Sequence, residues 1–290
     1  MSTLIFDIEA GHLLAVEVDL GRNNTVRLRR AVHAVVEGEE NAPEDVGRWL
    51  RGVLDENGIT AKSAIFSVSR GEVFIKRIEQ PAGVLDRAER HEMIHLQMAR
   101  QASPTSAENV IDYDAGNDGN GPITAAAMPV ERVDWRRRLA KAAGLKLDGI
   151  RLRSAGVRAM LSKADHDARS ALVIAPGLGS LELLVIESGR LVFSRSIDTA
   201  LPLSTERHAL EHYAERVAVE AARTWVSYRV SPDGREVERL VVLGAEPLAG
   251  SVARAASERL ELPEEVFSPA SLLDAEGDID PLVLTPAIPL

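Results

Sequence analysis

Short apolar runs separated by turn residues open the chain, which places extended strands before any helix. Leu4-Ile5-Phe6 leads into Asp7, Glu9 to His12 hold a turn around Gly11, and Leu13-Leu14-Ala15-Val16 resumes the strand, so 4–18 reads as a hairpin. A second turn at 21–24 precedes a third strand over 26–36. After Gly38 the period lengthens. Pro43-Glu44-Asp45 opens a helix with Val46, Trp49, Leu50, Val53 and Leu54 on one face, and Asn57-Gly58 closes it. Strands over 64–68 and 73–78 follow, joined by a turn at Arg70-Gly71.

The same order recurs later. A strand over 171–175 meets the turn Pro176-Gly177-Leu178-Gly179-Ser180, then 181–186 and 191–197 form a hairpin across Ser188-Gly189. A long helix over about 205–230 and a strand Leu240-Val241-Val242-Leu243 ending in Gly244-Ala245 complete it. Matching strands stand at a similar offset at both ends, Phe6 against Val173 and Phe66 against Val241. A β-β-β-α-β order met twice points to duplicated architecture rather than to repeated sequence. These strands are too apolar to leave a face bare, so helices must back each sheet. The expectation is an α/β chain of two halves around a cleft, 1–165 and 166–290, with an insertion subdomain at about 80–130.

Between the halves the pattern predicts a helix over 85–100, a strand over 109–113, a polar turn at 115–121 and a strand over 123–128. A helix over 130–143 stopped by Gly144, a strand over 148–152, a helix toward Leu161 and a linker Asp165-His166-Asp167 follow. Beyond a last helix over 248–260, the stretch 268–290 reads as irregular or weakly helical, with Pro286 and Pro289 interrupting its end.

Composition removes several chemistries. With no cysteine, disulfides, thiolate metal sites and cysteine nucleophiles are excluded. A net charge of -10 argues against an overall electrostatic grip on nucleic acid. No apolar run is long enough to span a bilayer, and the opening Met1-Ser2-Thr3-Leu4-Ile5-Phe6-Asp7 lacks the basic region of a signal peptide; a soluble cytoplasmic chain is expected. Aromatics make up only 4%, so aliphatic side chains must fill the core.

Two histidine pairs carry candidate metal chemistry. His91-Glu92-Met93-Ile94-His95 is an H-E-x-x-H and His208-Ala209-Leu210-Glu211-His212 an H-x-x-E-H; on a helix each pair shares a face and could hold zinc while the glutamate polarises water. The residues after His95 lack the glycine turn and third histidine of the extended zincin pattern, and only a distant Glu108 offers itself as a third ligand. Both pairs are therefore read as helix-surface residues, with a zinc hydrolase as a minor alternative. The cluster Trp135-Arg136-Arg137-Arg138 is expected to be solvated, with contact to anionic lipid or an acidic segment as the alternative. Trp49, Trp135 and Trp225 fit apolar helix faces, and neither Ser180 nor Ser194 has the context of a hydrolase nucleophile.

The two-unit order resembles the actin/hexokinase/Hsp70-type ATPase fold, a duplicated ribonuclease H-like architecture. Within it, the chain resembles the type IV pilus assembly protein PilM and its relatives, including the cytoplasmic domain of the type II secretion protein GspL. Asp7-Ile8-Glu9-Ala10-Gly11-His12 through Ala15-Val16-Glu17 is similar to the family's opening D-I-G-x-x-x-x-K-A-V-E. Pro81 with the helix after it, Val110-Ile111-Asp112-Tyr113, Ala140 to Leu145, Ser188 to Arg195 and Val241-Val242-Leu243-Gly244 resemble later motifs in the same order, over about residues 3 to 270.

The resemblance implies a nucleotide cleft at Asp7, Gly11, Gly177, Gly179 and Gly244, where backbone N–H groups of glycine turns cradle phosphates and carboxylates organise Mg²⁺. This sequence departs from it four times. Glu9 replaces a glycine, Ala175-Pro176-Gly177 replaces the second D-I-G, Gly244-Ala245-Glu246 replaces a glycine pair, and Leu14 stands where the family has lysine. An anion at Glu9 repels phosphate, and proline removes a backbone donor. The cleft is thus expected to be vestigial, and no catalytic residue is assigned. The implied role is a scaffold that is cytoplasmic and joins inner-membrane platform components by holding the short tail of a bitopic PilN-like protein, in a groove beside the insertion. An ATP- and Mg²⁺-binding switch is the alternative reading, a filament former a weaker one.

Overall fold

A computed structural model describes residues 2–21, 26–36, 42–80, 86–99, 108–114, 122–163, 170–202, 206–231 and 234–275. The expected turns at 21–24 and 115–121, the linker Asp165-His166-Asp167, Pro81 and the chain end beyond 275 lie wholly or mostly outside these residues.

The first half opens with β1 (Ser2–Glu9), β2 (His12–Leu20) and β3 (Val26–Val35), then α1 (Pro43–Glu56) and β4 (Ser63–Val68). The excursion that follows holds β5 (Phe74–Ile78), α2 (Arg87–Ala99), β6 (Asn109–Asp114), β7 (Ile123–Pro129) and α3 (Val130–Ala142). The chain returns through β8 (Lys146–Leu152) and passes into α4 (Arg153–Lys163). The second half is β9 (Ala171–Pro176), β10 (Ser180–Glu187), β11 (Arg190–Asp198), α5 (Arg207–Arg229), β12 (Arg239–Leu243), α6 (Leu248–Leu260) and β13 (Glu264–Phe267), and β14 (Leu273–Ala275) ends the described chain.

The expected duplication is present strand for strand. One sheet runs β3-β2-β1-β4-β8 and the other β11-β10-β9-β12-β13, each with its first strand central, antiparallel to the second and parallel to the fourth. Central position explains why Leu4 to Asp7 and all of β9 are buried on both faces. A pair of helices covers one face of each sheet: α1 and α3 lie over Leu4, Phe6, Leu13 and Phe66, while α5 and α6 lie over Leu172, Leu183 and Leu240. The opposite face of the second sheet packs on Val157, Met160 and Leu161 of α4.

Two expectations are corrected. The stretch from Ser268, read as irregular, contains β14, which crosses back to pair in parallel with β3 at the edge of the first sheet. Its chain neighbour β13, a Glu-Glu-Val-Phe segment without a strand pattern, supplies the fifth strand of the second sheet; at an edge, backbone pairing with β12 suffices. The arginine cluster is also not uniformly solvated. Arg136 is 5% exposed, pairs with Glu72 and lies over the Phe66 ring, while Arg138 makes a two-pronged contact with Glu44.

The insertion forms its own three-stranded sheet in the order β5-β7-β6, with Ile94 and Met98 of α2 closing a small core over Ile78, Ile123, Ala125 and Ala127. Strand β6 is an edge whose residues alternate between half-buried and exposed.

Close approach of α1 to α3 rests on Gly47. A Cβ there would collide with the Leu139 carbonyl oxygen and stand 2.7 Å from the Ala142 Cβ, whereas nothing lies within 4 Å of one at Gly52 on the same helix. Gly47→Ala should therefore lower stability by about 1–3 kcal/mol through overpacking. Gly52→Ala should raise it by up to about 1 kcal/mol through helix propensity alone. Urea denaturation of the two variants tests the pair, and equal effects would contradict the crossing.

Candidate functional site

The turns after the first strand of each half meet across the cleft. From the first half, β1 delivers Asp7 and Glu9 to the tight turn Ala10-Gly11, with φ of 49° and 74°. From the second half, Gly177-Leu178-Gly179 joins β9 to β10, which begins with Ser180 and carries Glu182. Arg153 enters between them. No residue separates β8 from α4, so its backbone is held at once by the end of the first sheet and by a helix packed on the second.

The Arg153 side chain is 0% exposed and makes charged contacts to both halves. Its Nη2 donates to Asp7 Oδ2 at 2.5 Å and to Glu9 Oε2 at 2.8 Å. Its Nη1 donates to Ser180 Oγ at 3.1 Å and lies 3.8 Å from Glu182 Oε1. Backbone donors complete the cluster: the Gly179 N–H reaches Glu9 Oε2 at 3.1 Å, and the Arg70 N–H reaches Glu182 Oε1 at 2.8 Å. Both of these again join the two halves.

Three carboxylates around one guanidinium cannot all keep their charge cheaply when buried. Burial pushes Asp7 up to about 6 against the pull of Arg153, with Glu9 and Glu72 adding repulsion. Burial likewise raises Glu182, opposed by Arg153 and the Arg70 amide. Glu9 goes the other way: burial would raise it, but Arg153, Ser180 and the Gly179 amide outweigh that and hold it below the usual range. Burial alone would weaken Arg153 as a cation, yet Asp7, Glu182 and Glu9 hold its pKa above the ordinary arginine value.

These groups do not fit a nucleotide phosphate with Mg²⁺. The Gly179 N–H, a donor of the kind that cradles phosphate, is taken by Glu9, and a Cβ at Gly179 would stand 2.8 Å from the Glu9 Cγ. A Cβ at Gly177 would collide with the Arg153 guanidinium, so the space a small residue leaves there is filled by that side chain. Leu14, read as a departure from the lysine of the ATP-binding pattern, belongs to an apolar cluster with Ile5, Val16 and Leu178.

Of the residues singled out in the sequence, Asp7, Gly177 and Gly179 come together around Arg153. Gly11 and Gly244 hydrogen-bond within their own halves, the Gly11 carbonyl accepting from the Val36 N–H and the Gly244 N–H donating to the Phe267 carbonyl. Arg153 and Glu182 were not singled out, though each left a trace. An arginine opening a helix opposes the helix dipole, and Glu182 interrupts the otherwise apolar run Leu181 to Ile186. The rings of His91 and His95 lie 4.1 Å apart on α2, and burial together with His91 lowers the His95 pKa. Among the described residues no group of three or more histidine or acidic side chains gathers at metal-binding spacing, and no helix is long and apolar enough to cross a membrane.

Comparison with solved structures identifies the fold. A chain of a PilM-PilN type IV pilus biogenesis complex superposes with a TM-score of 0.78 at 18% identity, over 95% of this chain and 91% of that one. The cytoplasmic domain of EpsL, an inner-membrane component of the type II secretion system of Vibrio cholerae, gives 0.55 at 9% identity over 98% and 93%. A protein of unknown function with an actin-like ATPase fold from Bacteroides thetaiotaomicron gives 0.55 at 9% identity over 92% and 90%. The chain has the actin-like ATPase fold. No family profile matches the sequence, and no curated protein does.

The raised Asp7 carboxyl has a consequence for stability. Between its ordinary pKa of 3.8 and about 6, the folded chain holds a proton that the unfolded chain has lost. Asp7 therefore penalises the folded state fully above about pH 6 and not at all below about pH 4. The stability of the parent relative to Asp7→Asn should fall by about 3 kcal/mol as pH rises through that window. Urea denaturation at a series of pH values measures this, and a difference that stays flat would show that Asp7 titrates as an exposed aspartate does.

Proposed function

We propose that the chain is a cytoplasmic assembly scaffold of a type IV pilus or type II secretion-like inner-membrane platform, holding the short cytoplasmic tail of a bitopic PilN-like protein. The observation that carries this reading is the near end-to-end superposition on a chain from a PilM-PilN complex. Asp7, Gly11, Gly177, Gly179 and Gly244 are then the vestige of a nucleotide cleft, in keeping with the Arg153 cluster that fills it. The halves 1–165 and 166–290 are its two bodies, with β14 tying the end of the second to the first.

The insertion supplies the physical means of holding a peptide. Strand β6 is the edge of the β5-β7-β6 sheet, next to β7 alone, so an extended tail can add there as a further strand. Val110, 42% exposed, presents an apolar contact on that strand, and Asp112 is exposed beside it. Cytoplasmic segments next to a membrane span are enriched in lysine and arginine, so acidic residues at the groove complement such a tail.

Synthetic N-terminal peptides of short bitopic proteins encoded beside this gene, titrated into the chain by fluorescence anisotropy, test the reading. One peptide should bind saturably, and Val110→Glu should weaken it about tenfold, as for loss of one buried contact. Calorimetric titration with Mg·ATP should give no saturable heat. Failure of every peptide, or a saturable Mg·ATP signal, would overturn the proposal.

A further inference from the structure

We infer that Arg153 is a built-in latch, holding the two halves together across the cleft with the chain's own cation where a cleft that opens and closes would use a bound ligand. This stands independently of the scaffold reading, since it rests only on the contacts between the halves.

Arg153 is anchored in neither half alone. Its backbone leaves β8 of the first sheet and begins α4, which packs on the second. Its guanidinium meets Asp7 and Glu9 from one side, Ser180 and Glu182 from the other. Opening the cleft would strip the cation from carboxylates on one side while both stayed partly buried, the costly case for a desolvated ion pair. Two further features act with it. Leu178, from the second-half turn, is buried in the apolar cluster of Ile5, Leu14, Val16 and Val18 on the first sheet. The Gly179 and Arg70 amides each donate across the cleft, to Glu9 and Glu182. Placing a cation at the N-terminus of α4 opposes the helix dipole, a conflict the surrounding carboxylates offset. Arg153 Nε and Glu182 Oε2 are the buried polar atoms of the cluster without a hydrogen-bond partner among the described residues.

The same geometry makes the cluster a guanidinium pocket once the side chain is removed. In Arg153→Ala, hydrogen exchange at the Gly179 and Arg70 amides should speed up by about tenfold or more, while the β9–β12 amides keep their protection. Guanidinium chloride at about 10 mM, far below the range in which it denatures, should restore protection at both amides, and sodium chloride at equal ionic strength should not. Arg153→Lys keeps the charge but loses the fork geometry, so it should fall between parent and alanine variant and gain nothing from guanidinium. Unchanged exchange at both amides in folded Arg153→Ala, or no response of that variant to guanidinium, would overturn the latch. If Arg153→Ala folds only with guanidinium present, the latch is supported. If it does not fold at all, unchanged protection in Arg153→Lys overturns the proposal, and faster exchange at both amides supports it.

Discussion

A buried guanidinium surrounded by carboxylates from two separate bodies of structure constrains everything near it. Desolvation makes Arg153 intolerable without partners and makes Asp7, Glu9 and Glu182 costly without a cation, so the four persist only as a set. That mutual dependence runs through the cleft because its members stand on β1, α4 and β10. The first strand of each sheet is central and covered on both faces, which keeps water from the site and raises the cost of any gap.

The rest of the cleft follows the same logic. Glu9 would repel a phosphate, yet it is an acceptor for Arg153 and for the Gly179 amide. Leu14 removes a lysine and gains apolar packing in the cluster that includes Leu178. Departures from the glycine-turn pattern that look like separate losses thus meet in one arrangement of internal charge pairing and apolar contact.

Much of the fold was legible in the chain. Short apolar runs bounded by turn residues located β1 to β4 and β9 to β12, and apolar spacing located α1, α3 and α6, because each of these reads out a local pattern. Strand β13 and the returning β14 were not legible: edge strands need backbone partners more than side-chain pattern, and their partners lie far away in the sequence. Arg136 likewise looked like part of a solvated run until Glu72 and Phe66, far upstream, came to meet it.

The candidate site divides along the same line. The sequence by itself determined that two similar β-β-β-α-β units exist, that glycine-bearing turns follow their first strands, and that Glu9, Pro176 and Leu14 disagree with phosphate binding, since backbone conformation and residue chemistry are local properties. Only the tertiary structure decided what those turns close around. Arg153 reaches Asp7 and Glu182 by virtue of a strand that runs without a loop into a helix on the opposite half, and no local pattern encodes which distant carboxylates a buried cation will meet.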